Sequence, residues 1–158
     1  MPELRELLER SGFGGVRTYL QSGNVVLRSA RQPETLAREC ERLLARELGV
    51  EVAVVARTDA ELAAVVRRNP LKEVADDPKR HQVTFLASRL PAATVRKLEA
   101  AVAPPEELVI AGREVYAWHP NGVARSRLWN TLAGKNLGVT ATSRNWTTVE
   151  ALHELATA

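Results

Sequence analysis

The order of predicted elements repeats along the chain, and this repeat limits the folds that the chain can adopt. From residue 81 onward the pattern reads strand, helix, strand, strand, helix, strand, helix. The preceding part reads helix, strand, strand, helix, strand, helix, and it matches if its opening strand is missing. Both closing helices are predicted to begin with a T-x-x-E capping box, at Thr58 to Glu61 and at Thr147 to Glu150. A split β-α-β pattern that occurs twice indicates an α+β protein.

This pattern predicts two ferredoxin-like (α-β plait) halves with mainly antiparallel sheets, the first of which lacks its opening strand. We expect the first half over residues 1–69, a polar, proline-containing linker over 70–80, and the second half over 81–158. The opening strand of a ferredoxin-like sheet is central. Its absence therefore predicts an exposed sheet edge, through which the chain could form a homo-oligomer.

Proline, glycine and capping signals define the local elements. Pro33 opens a predicted helix that ends at Gly49. Residues 50–57, VEVAVVAR, are rich in β-branched side chains and predict a strand. Further along we predict a helix near 125–133, a strand near 138–143, and a last helix that begins near Thr147 with Trp146 packed against its entry.

The composition argues against several classes of site. The chain has a single cysteine, Cys40, so it cannot form an intrachain disulfide. Because Cys40 also lies on an apolar helix face, we predict no zinc finger. The three histidines are scattered without an H-E-x-x-H motif, so we predict no metal site. The phosphate-loop motif G-x-x-x-x-G-K-[ST] is not predicted either, because Gly134-Lys135 is followed by Asn136 and not by Ser or Thr. No cofactor is predicted, and no catalytic set of residues is recognisable.

The last third of the chain is basic and aromatic. Between Glu114 and Glu150 there is no acidic residue. Cations neutralise phosphates and aromatic faces stack on bases, so this segment predicts an anion site for a nucleotide or nucleic acid. The alternative is that the tryptophans are core anchors and the cations are solvated. The candidate residues of the segment are Arg125, Arg127, Lys135, Arg144 and Asn145, with Trp118, Trp129 and Trp146 as the aromatic side chains.

Two shorter motifs refine this hypothesis. Arg144 and Asn145 stand at the predicted mouth of the last helix, where free N–H groups favour an anion. In the hairpin TYLQSGNVV, turn chemistry explains Gly23, which supplies a positive φ. It does not explain Gln21 and Asn24, which are therefore candidates for contact with a ligand.

The chain resembles a known bacterial family through several blocks taken in order. These are LRELLERSGFGGVRTYLQSGNVVL, the Asn-Pro pair at 69–70, HQVTFL at 81–86 and TSRNWTTVEAL at 142–152. They are similar to the family called domain of unknown function 1697. The resemblance implies two ferredoxin-like halves packed together, and it implies no particular activity. Members of that family normally begin with one more strand and a glycine-rich turn, which this sequence lacks.

Three functional hypotheses remain open. The first is a cytoplasmic, non-catalytic binding module for an anionic ligand, with no membrane partner because no segment approaches the roughly 20 apolar residues of a membrane span. The second is an enzyme on a small phosphorylated or carboxylated substrate that Arg144 and Asn145 orient. The third is an interaction protein, or a truncated relic, that pairs through an exposed sheet edge.

Overall fold

The computed structural model describes residues 2–19, 23–134 and 136–158 of the chain. Within these residues it is an α+β protein with six helices, a two-stranded sheet and a four-stranded sheet. In chain order the elements are α1 (Pro2–Arg10), β1 (Gly14–Tyr19), β2 (Asn24–Arg28), α2 (Pro33–Leu48), α3 (Asp59–Arg68), β3 (His81–Leu86), α4 (Ala92–Ala101), β4 (Glu107–Ala111), β5 (Glu114–Trp118), α5 (Arg127–Ala133), β6 (Ala141–Asn145) and α6 (Trp146–Thr157).

The first unit consists of the antiparallel β1-β2 hairpin and the helices α1 and α2. Its own core contains Leu7, Leu8, Phe13, Val16 and Leu43, all less than a tenth exposed. The predicted helix signals are confirmed here, because Pro33 opens α2 and Gly49 closes it in the left-handed conformation at φ 65°. The helices thus give this unit an apolar core of its own, which a two-stranded sheet alone would lack.

The four-stranded sheet is antiparallel with the order β4-β5-β3-β6, which places β3 in its interior. One face packs on α4 and α5 through a cluster that includes Leu86, Leu98 and Leu128. The opposite face packs on α3 through a cluster that includes Val83 and Val65. All six residues of β3 are therefore buried, and this central strand offers no open surface on which nucleic-acid bases could stack.

The four-stranded sheet with α4 and α5 forms the second unit. The helices α3 and α6 connect the two units, because each packs on the unit that it does not follow in the chain. The helix α3 follows the first unit in the chain but packs on the four-stranded sheet. The helix α6 follows that sheet, yet it contacts β2 of the first hairpin, and Arg17 of β1 donates to the carbonyl of Leu155 in α6. The helices also contact each other. Leu71, inside the predicted linker, is 2% exposed, so this segment also contributes to the core.

The prediction of a strand at 50–57 is wrong, because these residues form no ladder with any described strand. A strand needs a hydrogen-bonded neighbour. In the second part of the chain β6 finds that neighbour in β3, but the described residues of the first unit contain no equivalent of β3. Side chains replace the ladder at one point, where Glu41 accepts from the Val54 N–H at 2.7 Å and Arg38 donates to the Val54 carbonyl at 3.0 Å.

The cap of α3 is confirmed and the predicted cap of α6 is wrong. Thr58 and Glu61 form both bonds of a capping box. The helix α6 instead begins at Trp146, and its N-cap is Asn145, whose Oδ1 accepts from the Thr148 N–H at 3.0 Å. Trp146 is thus the first helical residue, and its ring stacks on His81 with a centroid distance of 4.7 Å. The T-x-x-E pattern favoured Thr147 as the cap. A cap needs only one side-chain oxygen that accepts from the first turn, and Asn145 at the end of β6 supplies it.

Candidate functional site

Two motifs that are 120 residues apart in the chain meet at one contact. The Arg144 Nε donates to the Asn24 Oδ1 at 2.6 Å, and the Asn24 Nδ2 donates to the carbonyl of Tyr19 at 3.1 Å. The contact fastens the hairpin to β6. The structure therefore brings together two of the residues that we selected from the sequence, with Asn24 only 5% exposed. Gln21, the other hairpin candidate, lies outside the described residues.

The guanidinium of Arg144 has further protein acceptors. Its Nη1 donates to the Thr142 hydroxyl at 2.7 Å and to the Ser143 carbonyl at 2.8 Å. Burial lowers the pKa of this guanidinium below its ordinary value. These contacts indicate that Arg144 holds the junction between the hairpin and the sheet. Its neighbour Asn145 is the N-cap of α6, so its side-chain oxygen is occupied by the backbone of the helix.

The other predicted cations do not converge on Arg144. Arg144 pairs directly with Val83, so its side chain lies on the sheet face that α3 covers. Arg127 belongs to α5, which covers the opposite face. Arg125 lies in the turn before α5, and both of these arginines are exposed. Lys135 lies outside the described residues. The tryptophans are anchors of the core and not stacking surfaces for bases, since Trp118 and Trp146 are less than a tenth exposed and Trp129 is half-buried.

A small cavity of about 270 Å³ is lined by three arginines, none of which we selected from the sequence. Arg68 ends α3, Arg89 follows β3, and Arg113 lies in the turn between β4 and β5. The two carboxylates that share the cavity are both engaged: Glu61 pairs with Arg113 at 2.8 Å, and Glu114 pairs with Arg57 at 3.0 Å. We call these lining arginines and glutamates the arginine cavity. The arginines come from separate elements, so the only sequence signal was the excess of arginine over lysine in the whole chain.

A second, larger cavity of about 830 Å³ runs along β6. Its described walls carry no charged side chain. They come from α5, from the segment between α5 and β6, from β6 itself and from Ala53 of the irregular segment. The lining includes Trp129, Leu132, Ala133, Leu137, Ala141 and Ser143. We call this space the β6-edge cavity.

The arrangement most similar to a catalytic triad is a buried cluster of Glu106, His119 and Ser126. The Glu106 carboxylate contacts the His119 Nδ1 at 2.7 Å and accepts from the Ser126 hydroxyl at 2.5 Å. In a nucleophilic triad the serine bonds the imidazole nitrogen that the acid does not use. Here the serine and the acid both lie on the Nδ1 side, and Ser126 accepts from the Trp129 N–H at 3.0 Å as the N-cap of α5. This geometry stabilises the start of α5.

The electrostatics of Glu106 match this structural role. Desolvation raises the pKa of its carboxyl, but hydrogen bonds from His119 and Ser126 outweigh desolvation, and the net pKa is lowered from its ordinary value. The carboxylate is therefore ionised at neutral pH. Within the described part of the chain, no group of three or more His, Cys, Asp or Glu residues is placed to hold a metal ion.

The fold and these cavities define an α+β protein with a ferredoxin-like sheet and two candidate ligand cavities. The family model described as "Protein of unknown function (DUF1697)" matches residues 1–116, and the chain belongs to that family. The chain is also similar in fold to a solved structure, the conserved bacterial protein SP0830 from Streptococcus pneumoniae. The TM-score is 0.73 with 20% sequence identity, over 99% of this chain and 88% of the other. No curated protein matches the sequence. None of the described helices is both long and apolar enough to cross a membrane.

Proposed function

We propose that this protein is a non-catalytic binding module for an anionic ligand, and that the arginine cavity receives the anion. One observation carries the proposal. Arg68 and Arg89 line the cavity, and neither of them makes a hydrogen bond or ion pair with another described residue. Guanidinium groups that converge on a concave site without carboxylate partners favour phosphate or carboxylate, which they bind through paired N–H groups.

The local charge supports the same conclusion. Three arginines line the arginine cavity against two glutamates. Two charged groups from outside the lining cancel each other, because Arg57 pairs with Glu114 and Glu34 pairs with Arg113. The site therefore keeps a positive surplus in the absence of ligand. An anion that enters it replaces water around Arg68 and Arg89 and breaks none of the three existing ion pairs, which are that of Arg57 with Glu114 and those of Arg113 with Glu34 and Glu61.

The volume limits what enters. About 270 Å³ accommodates one phosphoryl or carboxylate group with a small substituent, and it is below the size of most whole drug-sized ligand sites. A nucleotide would therefore insert its phosphate and leave its base outside. A nucleic-acid strand would contact the arginine cavity through one backbone phosphate at a time.

Calorimetric titration with inorganic phosphate, 5′-AMP and a single-stranded RNA octamer tests the proposal at two salt concentrations. We expect binding that weakens as salt rises, because phosphate contacts release counterions. Arg68→Ala combined with Arg89→Ala should weaken binding by at least about tenfold, since two charge-assisted contacts are lost. The three probes separate a preference for free phosphate from one for a nucleotide or a strand.

Two further double variants provide the matched comparison, because each also removes two exposed arginines. Arg125→Ala with Arg127→Ala tests the surface that the sequence suggested, and Arg5→Ala with Arg10→Ala is a control on α1, outside both cavities. Binding of all three probes that is unaffected by the Arg68 and Arg89 changes contradicts the assignment of the arginine cavity. Loss of binding only in the Arg125 and Arg127 variant would move the anion site to the turn before α5.

A further inference from the structure

We propose that the β6-edge cavity binds an extended polypeptide segment, which adds to the sheet beside β6. This site is separate from the arginine cavity, and it does not depend on the proposed function. Its partner is a peptide strand with uncharged, apolar side chains at alternate positions.

The hydrogen-bond pattern fixes which residues of β6 face outward. The Ala87 N–H donates to the Thr140 carbonyl at 2.8 Å, and the antiparallel register between β3 and β6 continues from this pair. In an antiparallel ladder, residues alternate between bonding the partner strand and pointing away from it. Thr142 therefore bonds β3, whereas the N–H and C=O groups of Ala141 and Ser143 point to the outer side.

β3 supports this assignment independently. The Leu86 N–H donates to the Arg113 carbonyl, so even-numbered residues of β3 bond β5 and odd-numbered residues bond β6. Among the described residues nothing bonds the N–H of Ala141, the C=O of Ala141 or the N–H of Ser143. The Ser143 carbonyl is taken by Arg144. Three main-chain groups of Ala141 and Ser143 thus stand open, and both residues line the β6-edge cavity.

The walls of the cavity specify the side chains of the partner. Ala141 and Ser143 share the sheet face that α5 covers, where Trp129, Leu132 and Leu137 form an apolar wall. Side chains of an added strand alternate between faces with period two, so every second one packs against this wall. A charged side chain packed against the described walls would lose its hydration and find no charged partner among them. Edge-strand addition of this kind is a general mode of peptide recognition.

A capped, fluorescein-labelled peptide of sequence HQVTFL is a suitable probe. It copies β3, which already pairs with β6 on the inner edge. We expect saturable binding by fluorescence anisotropy at concentrations below about 1 mM, the weak end of specific affinities. Amide exchange should change selectively: the N–H groups of Ala141 and Ser143 should become protected by the peptide, whereas Thr142 is protected with or without it.

Two N-methylated versions of the peptide test whether the backbone is recognised. Each version blocks one alternate set of amides and leaves every side chain in place. One version should lose binding by about tenfold or more while the other retains it, because only one set faces β6. Equal binding of both versions would show that side chains alone are recognised, which overturns strand addition.

A blocking variant and its control complete the test. Ala133→Arg places a long side chain at the exposed mouth of the cavity and should reduce peptide binding by at least about tenfold. Asn130→Arg, exposed on the same helix but outside the cavity lining, should leave binding unchanged. If Ala133→Arg lowers the melting temperature, Ala133→Trp blocks the same space with an uncharged side chain. Absence of peptide binding in the unmodified protein overturns the proposal. So does a dimer in light scattering that Ala133→Arg dissociates and the peptide does not, because a second copy would then be the occupant.

Discussion

Arg57 is a cation with almost no exposure to water. Its side chain is 7% exposed, and it bonds the Glu114 carboxylate at 3.0 Å and the Leu86 and Arg113 carbonyls at 2.7 and 3.0 Å. Its guanidinium carbon also lies 5.7 Å from the centre of the Phe85 ring. The residue precedes the capping box of α3, so it holds the irregular segment 50–57 against the ends of β3 and β5.

Arg57→Met should therefore be strongly destabilising. It leaves the nearly buried Glu114 carboxylate without its counter-ion, and breaking a buried pair in this way typically costs about 3–5 kcal/mol. Urea denaturation measures the free energy of unfolding. The double change Arg57→Met with Glu114→Leu should recover part of the loss because no buried charge remains, and Arg46→Met, on an exposed arginine, is the control. A cost below about 1 kcal/mol for Arg57→Met would contradict this role.

His81 predicts how stability depends on pH. Its ring is 1% exposed and stacked on Trp146, its Nε2 finds no partner among the described residues, and burial lowers its pKa from 6.5 to about 4. Between these two pKa values the unfolded chain binds more protons than the folded chain. The contribution of His81 to the free energy of unfolding is therefore fully present above about pH 6.5, and it is lost as the pH decreases toward 4.

From pH 7.5 to pH 5 this linkage should cost about 2 kcal/mol of unfolding free energy. Urea denaturation at the two pH values measures it. His81→Phe keeps the stacking on Trp146 and removes the titrating group, so its stability should vary less over the same range. An unchanged pH dependence in His81→Phe would assign the effect to another group.

At the scale of single elements, the sequence predicts a segment well where the signal is local. Pro33, Gly49 and the Thr58 capping box set the limits of α2 and α3 as expected. Residues 50–57 were mispredicted because β-branched composition describes a side-chain preference, whereas a strand is defined by its neighbour. The arginine cavity was missed for the same reason, since Arg68, Arg89 and Arg113 converge only when α3 lies across the sheet. The contact between Asn24 and Arg144 joins two motifs that the sequence did suggest, but it could not show that they bond each other.

The cap of α6 gives a prediction that separates the sequence pattern from the structure. Asn145→Ala should cost about 1 kcal/mol because the Thr148 N–H loses its acceptor, whereas Asn145→Asp or Asn145→Ser should retain most of the stability. Thr147→Ala, at an exposed helical position, should cost much less. Thr58→Ala in α3 is the positive control, since that cap is formed. Thermal denaturation of the five single-site variants compares them directly. A larger loss for Thr147→Ala than for Asn145→Ala would restore the T-x-x-E cap.

At the scale of the whole molecule, the exchange of helices couples the two units. The helix α3 packs on the sheet that follows it, and α6 returns to the hairpin that opens the chain. Neither unit keeps all of its contacts when the other unfolds. We therefore expect one cooperative transition, although the hairpin unit has an apolar core of its own.

The position of the tryptophans makes this coupling measurable, because all three lie after residue 117. Leu8→Ala removes a 2% exposed side chain from the core of the first unit and should cost about 2–5 kcal/mol. Tryptophan fluorescence should report this loss in full, with a transition that coincides with that seen by far-ultraviolet circular dichroism. Leu98→Ala, in the other core, is the comparison. An unshifted fluorescence transition in Leu8→Ala would show that the two units unfold independently.

The bond from the Arg144 guanidinium to the Ser143 carbonyl also limits how the protein can associate. A free strand edge is a template on which copies of a chain can stack without end. Here the Ser143 carbonyl is taken by a side chain that is itself bonded to Asn24 of the hairpin. The contact between Asn24 and Arg144 therefore withholds the Ser143 carbonyl from any strand of a second copy and shortens the edge on which copies could stack.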